Sequence, residues 1–199
     1  MNNSTVVYIH GKGGSAGEAE AYRALFPGEM IGFDYRAQTP WEARQEFPAF
    51  FDSLRAAGGP PILIANSIGA YFAMQSLAGR PIRKAFLISP IVDMERLILA
   101  MLRQTGMTEA ALRNSGELRM DSGEVLSWDY LCDARQNPCF WEVPTHILYG
   151  EKDFLTSYDT IVAFSRRIGA ELTVMKDGEH WFHTQEQMAF LFSWMRRAL

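Results

Sequence analysis

The segment Ile62-Leu63-Ile64-Ala65-Asn66-Ser67-Ile68-Gly69-Ala70 constrains this chain more than any other. An apolar run with the length and branching of a buried strand passes, with almost no loop, into a helix expected over about 67–77. A serine at such a corner takes strained backbone angles, and its hydroxyl is lifted above the end of the sheet. Strand and helix come so close there that only small residues fit two positions before and after the serine. The usual form has glycine at both places; here Ala65 fills the first and Gly69 the second. A plain helix-capping serine would fit the same segment, so a chemical role needs partners elsewhere.

Short β-rich runs and amphipathic stretches alternate around this corner. Strands are expected at 5–9, Met30–Phe33, 62–65, Lys84–Ile88, 146–149 and Glu171–Met175. Helices are expected over Ala16–Leu25, from Thr39 onward, near 157–168 and over Gln185–Ala198. Thr39, Pro40 and Glu42 form a capping box with proline in the first turn; Thr184 and Gln187 could form another. Trp41, Phe47, Phe50, Phe51 and Leu54 make the apolar stripe of the helix after Thr39. Pro48 should kink or split it, and Gly58-Gly59-Pro60-Pro61 should stop it. The pattern implies a three-layer, doubly wound, mostly parallel sheet of about six strands, covered by helices on both faces. Residues 91–140 break the rhythm, with helices near 93–104 and 108–113 and otherwise irregular sequence. They read as a lid-like insertion within one domain spanning 1–199.

The bulk numbers suit that reading. The chain has 199 residues, 48% hydrophobic and 21% charged, enough for one sizeable core. The net charge is −4 and no basic stripe stands out, which argues against a nucleic-acid partner. Arg166-Arg167 and Arg196-Arg197 fall where helices end, where cations suit the dipole. No apolar run is long enough to span a bilayer, and Met-Asn-Asn-Ser-Thr lacks the features of a leader. The expectation is a cytoplasmic protein acting on a small molecule, without a membrane partner; a homo-oligomer is not indicated. Its two cysteines, Cys132 and Cys139, read as reduced thiols, with a local bridge left open.

A serine hydroxyl is a weak nucleophile that needs a base held by a third group. In sheets with this corner the chain order is serine, acid, histidine. An apolar run at 146–149 leads through Gly150 to Asp153, with Glu151 as rival acid. The run Glu171–Met175 leads to Gly178-Glu179-His180-Trp181-Phe182-His183, where His180 is the choice of base and His183 the fallback. All three residues follow strand ends, the edge where open α/β sheets place their sites. The backbone N–H of Ile68, at the start of the helix, is positioned to stabilise an oxyanion. His180 and His183 lack a clear third ligand, so no metal is expected.

The glycine loop after the first strand creates a rival. Gly11-x-Gly13-x-x-Ala16 fits the dinucleotide fingerprint, and Asp34 stands about twenty residues on, where a ribose-binding acid would sit. That reading makes the chain an oxidoreductase, but it leaves Ser67, Asp153 and His180 unexplained. No Walker A pattern is present. A non-catalytic binding module on the same fold is the third alternative.

On His10-Gly11, Asn66-Ser67-Ile68-Gly69, Gly150-x-x-Asp153 and His180, the chain resembles the α/β-hydrolase family over nearly its whole length. The resemblance implies a minimal member that starts at the family's third strand, with sheet order 2-1-3-4-5-6 and a helical lid. It implies a cofactor-free serine hydrolase cleaving an ester, thioester or similar acyl bond through Ser67, Asp153 and His180. It assigns the second oxyanion N–H to Lys12, a loop-supporting role to His10, and a structural role to Asp34 within Asp34-Tyr35-Arg36. The inserted segment and the histidine loop supply candidate substrate-binding residues: Met94, Leu97, Ile98, Met101, Trp128 and Trp181. Their apolar bulk suggests a small or medium apolar ester, although ordinary core would use the same residues.

Overall fold

A computed structural model describes residues 4–54, 59–121 and 123–199. Gly58 of the expected helix stop and the first three residues of the chain lie outside them. In chain order the elements are β1 (Val6–Ile9), a 3₁₀ helix (Ala16–Leu25), β2 (Met30–Phe33), α1 (Pro40–Ser53), β3 (Ile62–Asn66), α2 (Ile68–Ser76) and β4 (Lys84–Ile88). Then follow α3 (Met94–Gln104), α4 (Glu109–Ser115), β5 (Glu117–Arg119), β6 (Val125–Ser127), α5 (Trp128–Gln136), β7 (Thr145–Gly150), α6 (Tyr158–Ile168), β8 (Glu171–Met175) and α7 (Gln185–Ala198). They divide into two compact units: Met1–Val92 with Phe140–Leu199, and Asp93–Cys139.

The larger unit holds a six-stranded sheet in the order β2-β1-β3-β4-β7-β8. Every neighbouring pair is parallel, so the expected sheet class and strand order are both found. Alternation along the strands explains the layers. Val6, Tyr8, Ile64, Phe86, Ile88 and Leu148 share one cluster with Tyr22 and Phe26 of the 3₁₀ helix and its end, and with Leu191, Trp194 and Met195 of α7. Phe86 meets Trp194 edge-on at 5.7 Å. On the second face, α1 packs on α2 and α2 on β3. Helix α2 is buried at six consecutive residues, Gly69 to Met74, which is why it is apolar on all sides. Burying each large apolar side chain of this core contributes roughly 1.5–3 kcal/mol.

Three local expectations need correction. The segment after the glycine loop is a 3₁₀ helix throughout, where an ordinary helix was expected. Ala16, Ala19, Tyr22 and Leu25 are its buried or half-buried residues and all others are exposed. That spacing of three matches the 3₁₀ turn, in which residues three apart eclipse. Helix α1 is not split at Pro48 but runs unbroken to Ser53. Phe47 on its inner face is fully buried, and Phe50 stacks on Phe33 at 3.9 Å, so tertiary packing outweighs the missing bond. Trp41 is 37% exposed; Pro40 and Ala43, with Phe47, form the buried stripe instead. The α1 capping box is present, with Glu42 N–H donating to Thr39 Oγ1 and Thr39 N–H to the Glu42 carboxylate. At α7 the Gln187 side chain reaches one residue further back, accepting from His183 N–H at 3.2 Å.

The smaller unit contains the antiparallel hairpin β5–β6, and α3 packs on α5. The hairpin and α5 stand where the sequence pattern predicts only irregular structure. The strands have three residues each, too short for a periodic signal, and only Leu131 of α5 is buried. Arg135 of α5 bridges Glu95 of α3 and Glu109 of α4, each at 2.7 Å. Cys132 is half-buried and Cys139 buried, and no disulfide joins them.

Candidate active site

Parallel strands put all their carboxyl ends on one edge, and the key loops meet there within the larger unit. Ser67 sits between β3 and α2 with φ 51° and ψ −121°, in the left-handed half of conformational space that a serine rarely occupies. Its N–H donates to Ile88 O at 3.0 Å and its carbonyl accepts from Ile91 N–H at 3.2 Å, so the strained corner is held from β4 and the loop beyond it. Gly69 is indispensable to the corner: a Cβ there would lie 2.2 Å from the carbonyl oxygen of His10. Gly11 is similarly close, since its Cβ would stand 3.1 Å from Ser67 Cβ. The glycine loop and the serine therefore adjoin at the point where strand order reverses, between β1 and β3.

Ser67 Oγ lies 2.8 Å from His180 Nε2, and His180 Nδ1 lies 2.8 Å from Asp153 Oδ2. The Asp153 side chain is fully buried and that of His180 is 11% exposed. The other carboxylate oxygen of Asp153 accepts from the N–H groups of Leu155 (2.8 Å) and Thr156 (3.1 Å), which compensates its burial. Tyr149, at the end of β7, donates its hydroxyl to Thr156 O at 2.8 Å. Burial, then the charge of Asp153 and the neighbouring Tyr158, push Tyr149 up to about 12, so it stays a donor at neutral pH.

The histidine loop is braced from several sides. Gly150 touches it so closely that a Cβ would lie 2.4 Å from Glu179 O. Lys152 N–H donates to Gly178 O at 2.7 Å. The Lys152 ammonium pairs with Asp177 at 2.8 Å, which raises the lysine and lowers the aspartate. Buried Gln187 donates to the Glu179 carboxylate at 3.3 Å while accepting from His183 N–H, so it links both flanks of His180. The rivals are placed elsewhere. Glu151 accepts from Asp177 N–H, and His183 Nδ1 bonds the Trp181 carbonyl at 2.7 Å.

Residues 6–193 match the family model described as the alpha/beta hydrolase family. The chain belongs to the alpha/beta hydrolase family. Its fold is that of solved alpha/beta hydrolases of low sequence identity. It resembles the alpha/beta hydrolase domain-containing protein 10 from mouse (18% identity, TM-score 0.76, covering 98% of this chain and 88% of that one). It also resembles Est1E from Butyrivibrio proteoclasticus (18% identity, TM-score 0.73, 98% and 86% covered) and a monoacylglycerol lipase from Paleococcus ferrophilus (16% identity, TM-score 0.65, 98% and 95% covered). No curated protein sequence matches the chain.

In this alpha/beta hydrolase, Ile68 opens α2, where backbone N–H groups have no carbonyl partner within the helix. Lys12 lies in a turn closed by Gly14 N–H donating to Gly11 O at 3.1 Å, with Gly13 at φ 75°. His10 stacks on Tyr35 at 4.3 Å, and the Tyr35 hydroxyl donates to His10 O at 2.9 Å. Burial, and next Glu46 and Glu18, raise Tyr35 well above the usual tyrosine range. Tyr35 and Glu46, which takes the Arg36 N–H at 2.9 Å, brace the loop after β2; Asp34 itself is exposed. Sequence reasoning missed Glu18. It accepts both the buried Tyr8 hydroxyl and Ser15 N–H (3.0 Å), and a Cβ on Gly14 would sit 2.7 Å from its carboxylate. A capping-box reading of Ser15 and Glu18 would have found it.

The remaining candidates are spread over both units. Met94 and Ile98 are buried in α3, Leu97 and Met101 are half-buried, and Trp128 lies under the Arg113 guanidinium at 5.8 Å. Trp181 is 69% exposed and stacks on His183 at 4.6 Å. Among the described residues no cluster of three His, Cys, Asp or Glu side chains could hold a metal, and no helix is long and apolar enough to cross a membrane.

Proposed function

We propose that the protein is a serine hydrolase that cleaves esters, thioesters or related acyl bonds of small substrates through an acyl-enzyme on Ser67. The hydrogen-bonded chain Ser67–His180–Asp153, with both links at 2.8 Å, carries the reading. His180 Nε2 takes the hydroxyl proton as Oγ attacks the acyl carbon, and Asp153 holds the ring and stabilises the imidazolium. The N–H groups of Ile68 and Lys12 stabilise the oxyanion. As the acyl carbon–oxygen bond breaks, His180 returns the proton to the departing alcohol. Water then attacks the acyl-enzyme by the same relay and releases the acid.

The dinucleotide alternative fares worse on one observation. A pyrophosphate at the start of the 3₁₀ helix would meet the Glu18 carboxylate, which already holds Ser15 N–H. Turnover of p-nitrophenyl esters and labelling by a fluorophosphonate probe test the proposal together. Both should vanish in Ser67→Ala; labelling that survives the substitution would remove Ser67 from its role.

A further inference from the structure

The geometry that buries Asp153 also exposes its neighbour. One carboxylate oxygen draws the N–H groups of Leu155 and Thr156 inward, and the turn leaves the side chain of Phe154 outside. Phe154 is 78% exposed and Trp181 69%, the two most exposed large hydrophobic side chains among the described residues. Each directly follows a member of the Asp153–His180 pair. Single exposed apolar residues are ordinary, but two large exposed rings, each next in the chain to a member of that pair, point to a binding surface.

Neither ring hangs on a loose loop. Beyond Phe154, the Thr156 hydroxyl donates to Pro90 O at 3.2 Å, and the Thr156 carbonyl accepts from Tyr149. Trp181 stacks on His183, whose N–H is held by buried Gln187. The Phe154 ring centroid lies 6.1 Å from that of His180 at 58°, within the range of contacting aromatic pairs.

Acyl-transfer chemistry says what meets these rings. The departing oxygen must lie about 3 Å from the His180 nitrogen that protonates it. Whatever is bonded to that oxygen therefore extends past the immediate neighbours of the imidazole. A small polar alcohol would gain little from phenyl and indole surfaces, whereas an aryl or extended apolar one would bury against them. We propose that Phe154 and Trp181 form a leaving-group subsite that selects esters of aromatic or extended apolar alcohols. The proposal rests on the acyl-transfer reading above.

Two acetates that share an acyl group, 2-naphthyl acetate and ethyl acetate, isolate the alcohol side. The ratio of their kcat/KM values should fall about ten-fold in Phe154→Ser and in Trp181→Ala, the scale on which hydrophobic pockets discriminate. The loss should lie in KM for the naphthyl ester, and Phe154→Tyr should restore most of it. An unchanged ratio in both variants overturns the subsite. Equal losses in kcat for both esters, with slowed fluorophosphonate labelling, overturn it too, since the rings would then only position His180. Naphthyl acetate turnover that persists in Ser67→Ala would instead defeat the acyl-enzyme itself, so the two failures are distinct.

Discussion

Replacing Gly69 with alanine adds one methyl carbon where the backbone leaves no room for it. The new Cβ would stand 2.2 Å from His10 O, 2.9 Å from Ile9 Cγ2 and 3.1 Å from His10 C. Ordinary contact begins at 3.4 Å, so α2 and the end of β1 must part by about 1 Å. Neither can yield cheaply: Ile9 is fully buried in the sheet, and His10 O receives the Tyr35 hydroxyl. Overpacking of this kind costs about 1–3 kcal/mol, and a weakened hydrogen bond adds about 1 kcal/mol. Alanine's better helix propensity offsets up to about 1 kcal/mol. A net loss near 2 kcal/mol should lower Tm by roughly 4–8 °C in a chain of this size. Ser67 rides on the same corner, and a displacement of about 1 Å typically costs about a hundred-fold in rate. Thermal unfolding by circular dichroism and the rate of fluorophosphonate labelling read the two effects separately. A Tm at or above that of the parent, with undiminished labelling, would refute the close-packing argument.

Asp153→Asn keeps the shape of a fully buried side chain and an oxygen for the Leu155 and Thr156 N–H groups. Its amide would face His180 Nδ1 and favour the tautomer unable to accept the serine proton, so kcat should fall about 10⁴-fold with Tm little changed. Activity within ten-fold of the parent would remove Asp153 from the proposed relay. His146 is pushed below the ordinary histidine range, chiefly by burial and with help from Lys84, while Glu171 at 3.2 Å opposes the shift. Its unfolded form therefore binds the proton first as pH falls. The resulting stability is whole above the unfolded value of about 6.5 and is lost as pH drops towards the folded one. His146→Asn should flatten the decline of Tm between about pH 7 and 5; parallel Tm curves for parent and variant would contradict this.

Most of the main sheet was legible in the sequence because its signals are local. Parallel strands buried on both faces read as continuous apolar runs, as in Leu63-Ile64-Ala65 and Phe86-Leu87-Ile88, and capping residues such as Thr39 and Thr184 mark helix starts. The small residues around Ser67 announced the close strand–helix corner for the same reason. Short elements carried no such signal: a three-residue strand spans too few positions for alternation to register, which hid the 117–127 hairpin. Nor does Pro48 split α1, because the aromatic packing of Phe33, Phe47 and Phe50 holds the helix through it.

By itself, then, the order of residues determined the strand and helix alternation, the parallel sheet and the strained serine corner, all properties of neighbours along the chain. Motif spacing favoured His180 and Asp153 over His183 and Glu151, but only tertiary structure decided that they stand in line with Ser67. Those pairs differ by three and two positions in sequence, too little for any periodicity to separate. What separates them is long-range packing: Gly150 pressed against Glu179, Lys152 N–H held by Gly178, and Gln187 reaching back across the histidine loop.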